Sequence, residues 1–212
     1  MTAQIVEMYI DPLCPWAWLT SRWLLEAERV RPFTLVTKVF SLAEVNREHK
    51  QHLEHLDAMS RPLRVLVAAR RAGGEAAIRA VYTEMGEAHH ERDQPLGDDA
   101  TLRAAVVAAG LDAALVTSAL SDEDVQAEVL AEHAAVVERG AFGVPTLSVD
   151  GSPAYFGPIV DRRITGAEAG RLWDIALPLL LHANVFELKR TRTSAPDIGR
   201  NRIRQEAGAA SV

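Results

Sequence analysis

The only cysteine, Cys14, is the strongest candidate for a reactive group in this 212-residue sequence. It follows the apolar segment Ile5–Ile10 and precedes Pro15 and a run of helical spacing. Because proline suits the first position of a helix, we expect the sulfur at a helix N-terminus. Unpaired N–H groups and the helix dipole stabilise a thiolate there. The sequence therefore predicts a nucleophilic Cys14, against the alternative of a small buried hydrophobic side chain.

A second candidate is the segment Gly143-Val144-Pro145-Thr146. Proline holds the residue before it in an extended conformation, and Pro145 opens a segment typical of a strand. If the Val144–Pro145 bond is cis, the turn exposes the backbone of Val144 to an extended substrate. The alternative is a proline that only begins a strand. Trp16, between the cysteine and the rest of its helix, is predicted to wall a substrate pocket.

Two further clusters are weaker signals. His49, His52 and His55 recur at every third residue, but no thiol or carboxylate completes a metal site, so we expect a solvated face and no metal. A basic tail could attract an acidic partner, although a solvated terminus is the more common outcome. Its arginines are Arg190, Arg192, Arg200, Arg202 and Arg204.

Composition excludes several classes of protein. Hydrophobic residues make up 48% of the chain, which is enough for a core, and the net charge of −6 argues against a nucleic-acid binder. One cysteine excludes an intrachain disulfide. We expect no tightly bound cofactor, because no glycine pattern matches a nucleotide loop.

The N-terminus does not resemble a signal peptide, and the longest apolar stretch, Ala176–Leu181, is too short for a membrane span. A cytoplasmic location is therefore expected.

The elements around Cys14 form a recognisable order. Strands at Ile5–Ile10 and Thr34–Phe40 flank a helix at Trp16–Arg29, which predicts a right-handed βαβ unit. Ser41 and Glu44 have the spacing of a capping box. Alanine-rich helices are then predicted at Arg61–Ala72, Glu75–Glu87, Asp99–Ala109, Ala113–Ala119 and Asp122–Arg139, the last capped by Ser121. A hairpin at Thr146–Val149 and Ala154–Phe156 turns at Asp150-Gly151, and a final helix capped by Thr165 is kinked or ended by Pro178.

This order predicts an α/β fold with a large helical insertion. Residues 1–45 and 140–190 would form the sheet domain, residues 46–139 the insertion, and residues 191–212 a disordered polar tail.

Cys-Pro-Trp followed later by Gly-Val-Pro-Thr resembles the thioredoxin superfamily, and the helical block resembles its DsbA-like branch. The segments DPLCPWAWLTSRW, FSLAEVN, YTEMGEAHH, GVPTLSVDG, YFGPIV, GAEAGRLWD and FELKRTRT are similar to the mycothiol-dependent reductase (nitroreductase) group. The resemblance covers about residues 5–193 and implies a cytosolic thiol enzyme that takes electrons from mycothiol as co-substrate. It also implies a homodimer and a disulfide or small-molecule substrate, including nitroaromatic compounds. Asn46 and His90 match positions in these segments and are expected to line the cleft, with His90 a proton donor or else a surface residue.

One position departs from the family pattern. The resemblance predicts Cys-Pro-Trp-Cys, whereas this chain has Ala17 in place of the second, resolving cysteine. A mixed disulfide on Cys14 could then be resolved only by an external thiol. The sequence allows two alternatives: a thiol transferase or isomerase resembling the kappa class of glutathione transferases, in which Cys14 is dispensable, or a peptide-binding module without redox chemistry.

Overall fold

The computed structural model describes residues 3–47 and 56–198. The predicted strands and helices flanking Cys14 are all present. In chain order the elements are β1 (Gln4–Ile10), α1 (Pro15–Glu28), β2 (Phe33–Val39), α2 (Leu42–Val45), α3 (Leu56–Gly86), a π-helical turn (Glu87–Glu91), α4 (Asp99–Ala108), α5 (Ala114–Ser121), α6 (Glu123–Glu138), β3 (Thr146–Val149), β4 (Tyr155–Phe156) and α7 (Gly166–Leu180).

The four strands form one mixed sheet in the order β2-β1-β3-β4. β1 runs parallel to β2, as the βαβ prediction requires, and antiparallel to β3. β3 and β4 form the predicted hairpin, and both turn residues, Asp150 and Gly151, have positive φ angles of 50° and 77°. Asparagine, aspartate and glycine tolerate this left-handed conformation best, which is why the turn was readable from the sequence.

Helices α1 and α7 pack together through an aromatic core. Trp23 is fully buried, and its indole N–H donates to the carbonyl of Ala169 at 3.0 Å. Trp173 stacks on Phe33 with ring centroids 4.4 Å apart.

α7 continues past Pro178 to Leu180. Thr165 occupies the N-cap position of α7, as predicted, although its side chain makes no capping hydrogen bond.

The exposed edge of β2 is closed by three carboxylates. The backbone N–H groups of β2 that point away from β1 belong to Leu35, Thr37 and Val39. They donate to Glu28, Glu75 and Glu132 at 2.7, 2.8 and 2.9 Å. An uncovered edge strand invites pairing with other chains, and a carboxylate satisfies each N–H without continuing the sheet. These bonds also fasten α3 and α6, which carry two of the glutamates, to the strand.

Between α2 and β3 every described element is helical. Gly73 and Gly74 break α3 into two helical parts, as predicted, and Gly74 has a φ of 67°. Ser121 was predicted to cap α6, but the cap is Asp122, whose carboxylate accepts from two N–H groups of the first turn. The division into residues 1–45 with 140–190 and an insertion at 46–139 stays a prediction. Of the predicted disordered tail, residues 199–212 lie outside the described residues.

Candidate active site at Cys14

Cys14 lies between the end of β1 and the start of α1, as the sequence predicts. It is the N-cap of α1, with Pro15 as the first helical residue. Its backbone N–H donates to the carbonyl of Asp11 at 3.0 Å, and its sulfur accepts from the N–H of Ala17 at 3.4 Å. Ala17, at the position where the family resemblance predicts a resolving cysteine, is fully buried and contacts the sulfur through its backbone N–H.

The thiol is more enclosed than the sequence suggested. Cys14 is only 7% exposed, and its S–H donates to the carbonyl of Val144 at 3.5 Å. Burial raises the pKa of Cys14, although the N–H groups of Ala17 and Trp16 lower it. Burial thus opposes the predicted activation by the helix N-terminus, and a nucleophilic role of Cys14 stays a prediction. The hydrogen bond to Val144 requires the thiol to carry its proton.

The loop that receives this hydrogen bond is the second predicted motif. The Val144–Pro145 peptide bond is cis, and Val144 is 5% exposed. The hydroxyl of Thr146 donates to the carbonyl of Gly143 at 2.7 Å, and the N–H of Gly157 donates to the carbonyl of Pro145 at 2.8 Å. Two motifs separated by 130 residues therefore meet at the sulfur of Cys14.

Asp11 was not identified from the sequence as a site residue. It is fully buried, and its two oxygens accept from the N–H groups of Leu13 and Leu42, each at 2.9 Å. Burial raises its pKa to about 6, although both hydrogen bonds lower it. Asp11 thus joins the turn before Cys14 to the start of α2. An acid immediately after a buried strand was the signal that could have revealed it.

His90 and Asn46 support the backbone of this region. His90 is 1% exposed and lies in the π-helical turn, so the alternative of a surface histidine is wrong. Its Nε2 is 2.9 Å from the carbonyl oxygen of Pro12; since a carbonyl only accepts, Nε2 carries the proton. The amide of Asn46 donates to the carbonyl of Leu42 at 2.8 Å. A direct role of either residue in binding stays a prediction.

Trp16 lies at the border between the buried thiol and the surface. It is partly buried, and the guanidinium of Arg192 lies 4.8 Å from the centre of its ring. The charge of Arg192 also lowers the pKa of Cys14. Arg192 is exposed, as expected for a solvated tail, and it also contacts this ring. Arg200, Arg202 and Arg204 lie outside the described residues.

An exposed aromatic pair borders the loop of Val144. Phe142 and Phe156 are 67% and 40% exposed, and their ring centroids are 4.8 Å apart. A Cβ at Gly143 would lie 3.3 Å from the ring of Phe156, so glycine lets this ring approach the loop. The sequence did not indicate a role for these rings, although Phe142 immediately precedes the motif that begins at Gly143.

Neither a metal site nor a membrane helix is found in residues 3–47 and 56–198. In those ranges no group of three or more His, Cys, Asp or Glu side chains could hold a metal ion. None of the helices there is long and apolar enough to span a bilayer. The histidines at positions 49, 52 and 55 lie outside the described residues.

Known proteins are similar to this chain in sequence and in fold. A family model described as Rv2466c-like, mycothiol-dependent nitroreductase Rv2466c, matches residues 13–190. An uncharacterized protein of Mycobacterium tuberculosis, Rv2286c, is 31% identical over 90% of this chain and 83% of its own length.

Among solved structures, a probable DsbA oxidoreductase, SCO1869 from Streptomyces coelicolor, superposes with a TM-score of 0.61 at 20% identity. It covers 92% of this chain and 97% of its own. A 2-hydroxychromene-2-carboxylate isomerase superposes with a TM-score of 0.58 at 19% identity, covering 97% and 98%. These two likenesses establish the fold, and the family match establishes the relationship. The chain belongs to the Rv2466c-like, mycothiol-dependent nitroreductase family and is a thiol-dependent oxidoreductase with a DsbA-like thioredoxin fold and a helical insertion.

Proposed function

We propose that this protein is a mycothiol-dependent reductase that works with one thiol of its own. The observation that carries the proposal is the placement of Cys14 at the start of α1, within hydrogen-bond distance of Val144, with an alanine at the resolving position. Membership of the family supports mycothiol as the co-substrate. Because a free thiol persists in a reducing compartment, we also propose a cytoplasmic location. The homodimer implied by the family resemblance is retained as part of the proposal.

The chemistry consists of successive thiol–disulfide exchanges. The Cys14 thiolate attacks one sulfur of a substrate disulfide; an S–S bond to Cys14 forms and the other substrate sulfur leaves as a thiolate. A mycothiol thiolate then displaces the bound substrate sulfur from Cys14, leaving a mixed disulfide with mycothiol. A second mycothiol thiolate attacks the mycothiol sulfur of that adduct, which releases mycothiol disulfide and returns Cys14 as a thiolate. Two mycothiol molecules thus supply the two electrons that the substrate gains.

The surrounding residues would orient these partners. The backbone of Val144, presented by Pro145, would hold the partner molecule beside the sulfur, and Trp16 would form one wall. Pro15 would fix the helix start, while His90 and Asn46 would keep the Cys14 turn and α2 in place. The exposed rings of Phe142 and Phe156 offer an apolar surface to a substrate.

Activation of the thiol would accompany binding. In the free protein the S–H donates to Val144, and loss of the proton would leave a thiolate facing a carbonyl oxygen. A bound molecule that donates its own N–H or O–H to that carbonyl would remove this repulsion. The N–H groups of Ala17 and Trp16 would still stabilise the charge. Cys14 would therefore be most reactive when the site is occupied.

Intact-protein mass spectrometry tests the proposal. The protein is treated with mycothiol disulfide and then with excess free mycothiol. We expect one mycothiol adduct, absent from Cys14→Ser, and its complete removal by the free thiol. If no adduct forms, or if the adduct persists, monothiol exchange is excluded. Glutathione disulfide in parallel reports whether the site distinguishes mycothiol from another small thiol.

The isomerase-like alternative has one specific observation in its favour. Ala17 leaves the chain without a resolving thiol, and chemistry on a bound cofactor thiol does not need one. A solved 2-hydroxychromene-2-carboxylate isomerase has a similar fold, which supports this alternative. Cys14→Ser separates the two proposals, since it would abolish thiol exchange and would leave a transferase or isomerase activity measurable.

A further inference from the structure

The C-terminal segment (residues 182–198) is fixed against the sheet domain at both ends. Near its start, the hydroxyl of Tyr155 donates to the carbonyl of Val185 at 2.9 Å. Near its end, the hydroxyl of Ser194 donates to the carboxylate of Asp161 at 2.6 Å, and the N–H of Asp197 donates to the Asp161 carbonyl at 2.6 Å. These contacts hold the segment on both sides of Arg192.

Arg192 has an unusual environment for a surface arginine. Its guanidinium lies 4.8 Å from the ring centre of Trp16, within the range of a cation–π contact. Within the described ranges, no salt bridge to Arg192 is found, so no described carboxylate neutralises its positive charge. Arg192 lies on the ring of Trp16, which follows Cys14 by two residues in the sequence.

We infer that Arg192, held on the indole of Trp16 by the C-terminal segment, is an electrostatic residue of the active site that stabilises the thiolates taking part in exchange. The inference rests on the proposed monothiol function and extends it. In the resolving step the attacking small thiol enters as RS⁻ and Cys14 leaves as a thiolate, so one negative charge is present throughout. A fixed cation at the border of the pocket favours both species. It also partly offsets the burial of Cys14.

Charged and neutral alkylating agents measure this effect directly on the full chain. Iodoacetate is an anion and iodoacetamide is neutral, so the ratio of their second-order rates with Cys14 reports the local potential. By Coulomb's law, a unit charge on the order of 8 Å away in water changes such a ratio by roughly twofold at low salt, and added salt reduces the effect. We expect Arg192→Gln to lower the iodoacetate-to-iodoacetamide ratio by about this factor. Arg192→Lys should retain most of the wild-type ratio because it keeps the charge.

Two further variants test the role of position. Arg190→Gln removes a positive charge from the same segment, and no described aromatic ring lies against Arg190; its ratio should match wild type. Trp16→Leu should reproduce the loss seen in Arg192→Gln, and the double variant should add little, since either change releases the same guanidinium.

The inference is overturned if Arg192→Gln leaves the ratio unchanged, or if Arg190→Gln lowers it equally, which would show a diffuse charge effect of the tail. None of these rates requires mycothiol. A protein that forms no mycothiol adduct but shows the Arg192-dependent ratio would contradict the proposed function and would still support the electrostatic effect of Arg192 on Cys14. A protein that exchanges mycothiol normally, but whose alkylation ratio does not depend on Arg192, would support the proposed function and overturn the inference.

Discussion

Replacing Asp11 by asparagine should change how the stability of the protein depends on pH. Asp11 is fully buried, and its pKa is raised from the ordinary value of 3.8 to about 6. A raised folded-state pKa means that the native protein binds this proton more tightly than the unfolded chain does. The stabilisation is complete below pH 4 and is lost as the pH rises through 6. The difference between the two pKa values corresponds to about 3 kcal/mol.

Asp11→Asn removes this titration and also one hydrogen-bond acceptor. An amide oxygen can accept from Leu13 or Leu42 but not from both, and an unsatisfied buried N–H costs about 1–3 kcal/mol at every pH. We therefore expect wild type to be the more stable protein at pH 4. Between pH 4 and pH 7 its advantage should shrink by about 2 kcal/mol, so that the two proteins become similar or change order.

Urea unfolding of both proteins at pH 4, 5, 6, 7 and 8 measures the effect. Groups other than Asp11 contribute equally to both proteins, so their pH dependence cancels in the difference between the two free energies of unfolding. A difference that stays constant with pH, or that grows in favour of wild type, would refute the reasoning. It would mean that the two backbone N–H groups stabilise the carboxylate more than burial destabilises it.

Two other substitutions have clear expected outcomes. Ala17→Cys places a second thiol where the N–H of residue 17 already contacts the sulfur of Cys14; we expect a 2 Da mass loss on oxidation and a mycothiol adduct too short-lived to isolate. An adduct as persistent as that of the unmodified protein would count against this geometry. Gly86→Ala puts a Cβ 2.1 Å from the ring of Trp18, so unfolding should become easier by about 1–3 kcal/mol or more. Gly97→Ala is the matched control, since its Cβ meets nothing closer than 3.4 Å; equal urea midpoints for the two variants would contradict the steric argument.

The elements that position Cys14 were predictable because their signals are local. Proline after the cysteine places the start of α1, and Asp150-Gly151 places the hairpin turn. The succession of strand, helix and strand patterns predicts the βαβ unit. Its right-handed crossover follows from the rule that holds for nearly all connections between parallel strands. The similarity of short segments to one family then joined the two motifs into a single site, which no local pattern could do.

The contacts that the sequence did not predict around the site depend on distant parts of the chain. Asp11 binds Leu42, and His90 reaches Pro12 across 78 positions. Arg192 reaches Trp16 only because the C-terminal segment returns to the sheet domain. A charged residue in a polar tail has the same local appearance whether it is solvated or docked. For Arg192, docking depends on the contacts that anchor neighbouring residues, such as the hydrogen bond from Ser194 to Asp161.

The thiol shows why a helix N-terminus is not enough to predict a reactive cysteine. The local sequence places the N–H groups of Ala17 and Trp16 near the sulfur, where they lower the pKa of Cys14. The opposing effect is burial, and among the groups around the sulfur is the carbonyl of Val144, 130 residues away, which accepts a hydrogen bond from the thiol. Because burial is the larger effect, the pKa of Cys14 rises rather than falls. Two cysteines with identical flanking residues could therefore differ in reactivity according to how a remote loop packs. The same loop is where a bound partner could alter that packing, and we therefore propose that the reactivity of this thiol depends on occupation of the site as well as on its sequence motif.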